Sequence, residues 1–277
     1  MEMIKKINDI DLLNNNKVYS EQEKDVLKNT KIIFNGSNNI VVIEKGAKII
    51  NSMLIFNGDN SIVYLSKSTS TYMLECYVNN NSVVYFGRDN FIHTYSPTKR
   101  LSLFVSEEQN ILIGNDCLLS YGICMRTADP HLIYDCNSKE RINLSKSILI
   151  GDHVWIGQDA LVLKGTLIGS GAIVGANSVI SNKKIYSNTV VAGNPIKELK
   201  KNVFFLSDNV HRYKKDDTIE SMKYERDDYV YEKSSENKDI KNIDSLLKNT
   251  RDVSKKLDII NINLKSNIEK NRFYLGN

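Results

Sequence analysis

Proline is scarce in this 277-residue chain, with 3 residues, and glycine numbers only 14, so collagen-like and linker-dominated architectures are excluded. No apolar run reaches the roughly 18 residues needed to cross a bilayer, which predicts a protein without a membrane span. The opening residues, MEMIKKINDIDLLNNN, lack the uninterrupted apolar core of a secretory signal, and the expected location is the cytoplasm. Four cysteines, Cys76, Cys117, Cys124 and Cys136, show no C-x-x-C spacing; in a reducing compartment they are expected as free thiols buried like small hydrophobes. Charge of one sign is also lacking. With 37 basic and 33 acidic side chains the net charge is +4, without the concentrated stripe of a nucleic-acid binder, and no nucleic-acid partner is expected. What is present is a hydrophobic fraction of 41%, enough to bury a sizeable core.

Texture divides the chain into three. Residues 1–30 read as an N-terminal helical or irregular segment. From Lys31 short bursts of β-branched and aromatic residues alternate with Asn, Gly, Ser and Asp, the signature of strands joined by tight turns. The phrase FNGSNNI starting at Phe34 is echoed by FNGDNSI starting at Phe56, and more loosely by YFGRDNFI from Tyr85. After Ile111 the repetition sharpens: aliphatic residues recur every six positions at Ile150, Ile156, Val162, Ile168, Val174 and Ile180, with small residues behind many of them. Ile113, Leu119 and Met125 keep the same step upstream, but the offset to Ile150 is one more than a multiple of six, so an excursion must interrupt the pattern.

A period of six is the geometry of a parallel β-solenoid in which six residues make one flat face and a corner. Three such units close a triangular coil of 18 residues, stacked at the hydrogen-bonded strand spacing of about 4.8 Å. The inward aliphatics then form ladders, Ile150 over Ile168, Ile156 over Val174 and Val162 over Ile180. The solenoid is expected over residues 31–200, with irregular coils at 31–110, regular ones at 111–193 and the interrupting loop at about 126–147. Residues 201–277 form a charged extension, with 28 charged side chains in residues 212–277 against 42 in all that precedes. In it Leu246, Val253, Leu257, Ile260, Leu264 and Ile268 trace the seam of one amphipathic helix at about 244–270, docked on the solenoid or on a neighbouring subunit, with a partly helical tail lacking a fixed partner as the alternative.

The stretches ILIGDHVWIGQDA from Ile148, IGSGAIVGANSVI from Ile168 and VAGNP from Val191 resemble the hexapeptide-repeat acetyltransferases. The phrase DPHLIYD from Asp129, followed by Trp155, is most similar to bacterial carbohydrate O-acetyltransferases of sialic acid or polysialic acid capsules. The resemblance implies a left-handed parallel β-helix, a mainly β fold whose hand the right-handed crossover rule would not supply. It further implies a homotrimer, acetyl-CoA as acyl donor without a metal, and a sialylated carbohydrate acceptor in a capsule or lipooligosaccharide.

Acetyl transfer from a thioester to a sugar hydroxyl needs a base, donors for the developing oxyanion, and a grip on CoA. His131, on the interrupting loop, is the expected base, because an unperturbed imidazole is available as a proton acceptor near neutral pH. Asp129, Asp135 or a main-chain carbonyl would hold its tautomer. His153 occupies a repeat position that tolerates many residue types and is read as structural. Trp155 faces outward just before inward Ile156; by resemblance it lines the donor site, where its indole N–H could position the acyl group or stabilise the oxyanion, with subunit packing as the alternative. By resemblance also, Gly175, Ala176 and Ser178 let pantetheine lie against backbone and Pro195 contacts adenine. Lys183, Lys184 and Lys197, with Lys200 and Lys201 nearby, suit the CoA phosphates. Arg126 and Arg141 flank the loop and could pair with an acidic sugar's carboxylate.

Two other enzymes and one scaffold share parts of this pattern. An acetyltransferase of an amine or another small molecule would need the same donor site. A zinc hydrolyase on the same solenoid would need a third histidine in register with His131 and His153, which neither His93 nor His211 supplies. A non-catalytic solenoid scaffold would have no use for His131 and Trp155.

Overall fold

In the computed structural model, which describes residues 1–21, 27–93, 98–235 and 238–276, the period-six aliphatics stack as the repeat requires. Ile150 pairs with Ile168, Ile156 with Val174 and Val162 with Ile180, all in parallel register and buried in one continuous core. Ile113, Leu119 and Met125 pair in turn with Ile150, Ile156 and Val162, so the excursion is spliced in without displacing the ladder.

Three sheets form the faces of the prism. The first face has eight strands, from Glu2–Ile4 to Val179–Ile180, and the second has eight, from Lys17–Ser20 to Lys184–Ile185. The third is split into a three-stranded piece beginning at Leu27–Lys28 and a six-stranded piece running from Phe91–Ile92 to Lys197–Lys201. Two of the terminal strands run against their neighbours: Glu2–Ile4 is antiparallel to Lys31–Phe34, and Lys197–Lys201 to Thr189–Ala192. No helix among the described residues is long and apolar enough to cross a membrane.

The early coils are longer than 18 residues and unequal, with pairing intervals of 23 residues from Lys17 to Ile40, 21 from Ile62 to Val83 and 27 from Glu75 to Ser102. Lys31 pairs with Met53 and Met53 with Glu75, each 22 residues on, the spacing of the echoed FNG phrases. The coil also starts earlier than Lys31. Residues 17–20 and 27–28 already pair with 40–43 and 49–50, and among the described residues of the N-terminal segment only Ile7–Leu12 is helical, as a 3-10 turn. Asparagine takes over the corners that glycine would occupy in a richer chain. Asn38, Asn60 and Asn81 adopt φ of 56°, 59° and 59°, a left-handed conformation that Asn reaches at lower cost than other L-residues, and Asn38 Nδ2 donates to Asn60 Oδ1 at 2.5 Å. Where coils touch most closely glycine is retained: a Cβ on Gly151 would lie 2.7 Å from the Ser170 amide nitrogen.

The second face is buried on both sides. Its strands Ile40–Ile43, Ile62–Leu65 and Val83–Phe86 have no exposed residue, which is the pattern of a covered sheet. Inward residues join the prism core, while Val42, Tyr64, Tyr85, Leu112, Leu149 and Leu167 form a second core with the C-terminal extension. Following a short exposed α1 (Lys215–Glu220), α2 (Ile240–Asn249) and α3 (Val253–Ile260) lie on this face. The expected single helix is thus two. The break falls at Thr250 to Asp252, where Asp252 caps α3 by accepting from the Lys255 amide at 2.9 Å. The buried seam is Ile240, Ile243 and Leu247, then Val253, Ile260 and Leu264, whereas Leu246 and Ile268 are exposed. Cysteine burial also departs from expectation: Cys76 and Cys117 are buried, Cys124 is half-buried and Cys136 is exposed on the excursion.

Polar side chains fasten the extension to the prism. Asp244 accepts from Asn110 Nδ2 at 2.8 Å and Ser147 Oγ at 2.7 Å. Lys256, fully buried, reaches the Asn81 carbonyl at 2.5 Å and Asn81 Oδ1 at 2.7 Å, closing the asparagine corner column. Burial, helped by the neighbouring Arg251 guanidinium, pushes the Lys256 ammonium down to about 8. A lysine lowered in the folded state releases its proton there first, while the unfolded chain keeps it up to about pH 10.4. Stability from this group should therefore be level below about pH 8 and rise above it. Urea midpoints near pH 7 and near pH 9.5 check this: the wild type should gain from the upward step, and Lys256→Met should lose that gain.

Candidate active site

The excursion leaves the first face after Cys124–Arg126 and rejoins the solenoid at Ile148–Ile150 on the second, so it stands on the edge between these two faces. Asn143, buried, is its hub. Asn143 Nδ2 donates to the His131 carbonyl at 2.8 Å and to Asp129 Oδ2 at 3.0 Å, while its Oδ1 accepts from the Ile133 amide at 3.0 Å and from Arg141 Nε at 3.2 Å. The loop is then clamped from the coils on either side. Lys164 Nζ reaches Asp129 Oδ2 at 2.6 Å and the Asn143 carbonyl at 3.0 Å. Glu107 takes both arms of the Arg141 fork, at 2.7 and 2.9 Å, together with the Ser145 hydroxyl. These contacts hold the Asp129 carboxyl, through Lys164, and the Glu107 carboxyl, through Arg141, below the usual carboxylate range.

His131 is exposed, and its ring has no hydrogen-bond partner among the described residues. Neither carboxylate expected to orient it does so within this chain. Asp129 is committed to Lys164 and Asn143, and Asp135 accepts from the Asn137 and Ser138 amides at 2.8 Å each to turn the loop. The loop is fixed through the backbone of His131, which leaves the imidazole free to meet a partner. The rest of the excursion presents Leu132, Ile133, Tyr134, Ile142 and Leu144 to solvent, each between 49 and 63% exposed. Five large apolar side chains on one loop make a patch that ordinarily meets another macromolecular surface.

Trp155 opens a strand of the third face, 37% exposed, and leans on Phe205 with ring centroids 5.7 Å apart. It is two residues from His153, whose role is structural. The buried His153 ring is sandwiched between Phe205 and Tyr229, at 4.1 and 4.0 Å, with Nδ1 2.7 Å from Asp116 Oδ2 and Nε2 3.0 Å from the Phe205 carbonyl. His153 thereby pins the chain after the solenoid against the corner beside Trp155.

The residues expected to hold CoA fall on two edges. Gly175, Ala176 and Ser178 lie at the corner between the third and first faces, and Pro195 follows the last parallel strand of the third face. Ala176 and Pro195 are exposed. Ser178 is buried, its Oγ accepting from the Gly193 amide at 3.0 Å, and a Cβ on Gly175 would lie 2.7 Å from the Ala192 Cβ, so coil stacking by itself requires small residues here. Lys183 and Lys184 sit at the next edge, with Lys146 and Lys164 of the excursion's base, and Lys197 is on the final strand with Lys200 and Lys201. Of the two arginines, Arg141 is closed by Glu107, whereas the Arg126 guanidinium lies over the Phe104 ring at 4.3 Å.

His131 and Trp155 of one chain stand on opposite sides of the helix-covered second face. The residues that fix the loop, Asn143, Lys164 and Glu107, carry no motif in the sequence; the lone signal is that each lies at or next to a corner bordering the excursion.

Comparison with known proteins agrees with this architecture. Residues 147–182 match the family described as bacterial transferase hexapeptide (six repeats). A polysialic acid O-acetyltransferase of Neisseria meningitidis is 30% identical over 126 residues, 46% of this chain and 56% of that protein. A polysialic acid O-acetyltransferase of Escherichia coli O1:K1 / APEC is 41% identical over 51 residues, 18% of this chain and 17% of that one. The chain thus spans less than two thirds of either curated relative. Among solved structures, the polySia-specific acetyltransferase NeuO matches with TM-score 0.59 and 27% identity, covering 72% of this chain and 81% of that one. The polysialic acid O-acetyltransferase OatWY matches with TM-score 0.56 and 26% identity over 74% and 94%. The fold is the left-handed parallel β-helix of hexapeptide-repeat acetyltransferases.

Proposed function

We propose that this hexapeptide-repeat protein is an O-acetyltransferase that uses acetyl-CoA to modify a sialylated bacterial surface carbohydrate, capsule or lipooligosaccharide, with His131 as general base in a site shared between subunits of a homotrimer. The observation that carries the reading is the presentation of His131. Its backbone is locked by Asn143, its ring is unpartnered, and it stands beside an exposed apolar patch on an edge away from Trp155. A second copy packed on that patch would supply the third-face edge that one chain cannot. The likeness to polysialic acid O-acetyltransferases in sequence and structure favours an acidic glycan as acceptor.

In this mechanism the His131 imidazole takes the proton of the acceptor hydroxyl as its oxygen attacks the thioester carbonyl carbon. The Trp155 indole N–H or coil amides donate to the developing oxyanion. On collapse the carbon–sulfur bond breaks, and imidazolium returns the proton to the departing sulfur, giving the acetyl ester and CoA thiol. Exposed Ala176 and Pro195 offer a surface for pantetheine and adenine, and exposed Lys183, Lys184 and Lys197 offer cations for the phosphates. Incubation with acetyl-CoA and a sialic acid oligomer, followed by thiol titration and mass spectrometry, tests the reading. Stoichiometric thiol release with one acetyl gained per turnover is expected. Transfer to amines or antibiotics but not to sialylated glycans would replace it with the small-molecule alternative.

A further inference from the structure

We propose that Arg126 is a specificity-determining residue, pairing its guanidinium with the carboxylate of an acidic sugar in the acceptor site. This rests on the transferase reading and adds to it the group that selects acceptor charge. Arg126 is the last residue of the first-face strand from which the His131 excursion departs. Strand register stacks it directly on Phe104, and Phe104 on Tyr77. The two rings are parallel to within 5° at 5.2 Å, and the guanidinium caps the column at 4.3 Å from the Phe104 centroid. A guanidinium laid on an aromatic face is held flat, and its fork is pre-organised for a planar anion.

The two acids that border the excursion are engaged with other cations. Asp129 is paired with Lys164, and Glu107 with Arg141. Glu75, two coils down the same face, accepts from the Tyr77 hydroxyl at 3.2 Å and forms no ion pair with Arg126, whose side-chain partner on its own strand is the neutral Cys124 thiol. Arg126 forms no ion pair among the described residues and is half-buried, so it is a cation partly removed from water without a counter-charge. An unpaired charge in such a setting is costly unless a ligand completes it, and a carboxylate, the anionic group of an acidic sugar, matches the fork in two parallel bonds, as a phosphate also would. Arg141, by contrast, already holds its carboxylate in Glu107 and anchors the loop.

Loss of a charge-assisted bond of this kind corresponds to roughly tenfold to hundredfold in binding. Arg126→Gln should raise KM for a sialylated acceptor by about that factor, leave KM for acetyl-CoA unchanged, and leave a neutral oligosaccharide unaffected. Arg126→Lys should recover part of the loss, because charge is kept and the fork is not. Calorimetry with a sialic acid oligomer separates this proposal from the transferase reading. His131→Ala should bind it, and His131→Ala/Arg126→Gln should bind it at least tenfold more weakly, whether or not the wild type proves to transfer acetyl groups. Three results would overturn the assignment: unchanged oligomer binding; a rise in KM for acetyl-CoA instead, which would give Arg126 a phosphate partner; or dissociation of the oligomer by light scattering on Arg126→Gln, which would give it a carboxylate of a neighbouring copy.

Discussion

Replacing His131 with alanine should lower kcat for acetyl transfer by roughly 10² to 10⁴-fold, the usual contribution of a positioned general base. The loop itself should survive the change. Asn143 holds the His131 carbonyl, not its ring, and Lys164 and Glu107 clamp the excursion through Asp129 and Arg141. Acetyl-CoA affinity by calorimetry should therefore match the wild type, and thermal stability should hardly move, since the imidazole has no partner to lose. The contrast is Asn143→Ala, which frees four polar groups of the loop and should raise KM as well as lower kcat. Unchanged turnover in His131→Ala would remove this residue from the chemistry.

Loss of Arg272 should destabilise the protein by about 3 to 5 kcal/mol, the cost of breaking a buried ion pair from one side. Its fully buried guanidinium meets both oxygens of Asp152 at 2.7 Å, the Leu264 carbonyl at 2.7 Å and the Asn267 carbonyl. Asp152 lies at a solenoid corner and also accepts from the Asn115 amide at 2.7 Å, so a single pair joins the last residues of the chain to two coils. Arg272→Ala would strand a buried carboxylate and two carbonyls. Urea unfolding reads the loss, and limited proteolysis should cut first in residues 238 to 276. Pairing Arg272→Met with Asp152→Asn should recover much of the stability, because no isolated charge then remains inside. A single variant as stable as the wild type would mean that the extension is held by its apolar contacts alone.

The ladder from Ile150 to Ile180 was legible because one inward aliphatic per six residues is a strong, local signal. The earlier coils are longer and unequal, with intervals of 21 to 27 residues that leave no fixed period to read, and the FNG phrases at Phe34 and Phe56 mark one step of 22 among them. The covered second face was also written in the sequence. IVVI, IVYL and VVYF do not alternate, as a sheet with one wet side must, and so they announce a second layer over residues 40 to 86. In the extension the apolar spacing hid a break, because Asp252 resets the helical phase and moves Leu246 to solvent in favour of Leu247. Around the site, the excursion could be placed by arithmetic alone. Its clamps could not: Lys164 meets Asp129 across 35 residues and Arg141 meets Glu107 across 34, distances that only the coil geometry brings to contact.

A reversed strand closes one face at each end of the prism. A stack of parallel coils exposes unpaired amides and carbonyls at each terminus and would accept another copy's strand as readily as its own. Glu2–Ile4 and Lys197–Lys201 run the wrong way for such growth, and the latter carries three lysines that repel an incoming duplicate. On these two faces, then, the stack offers an incoming copy no parallel edge to continue.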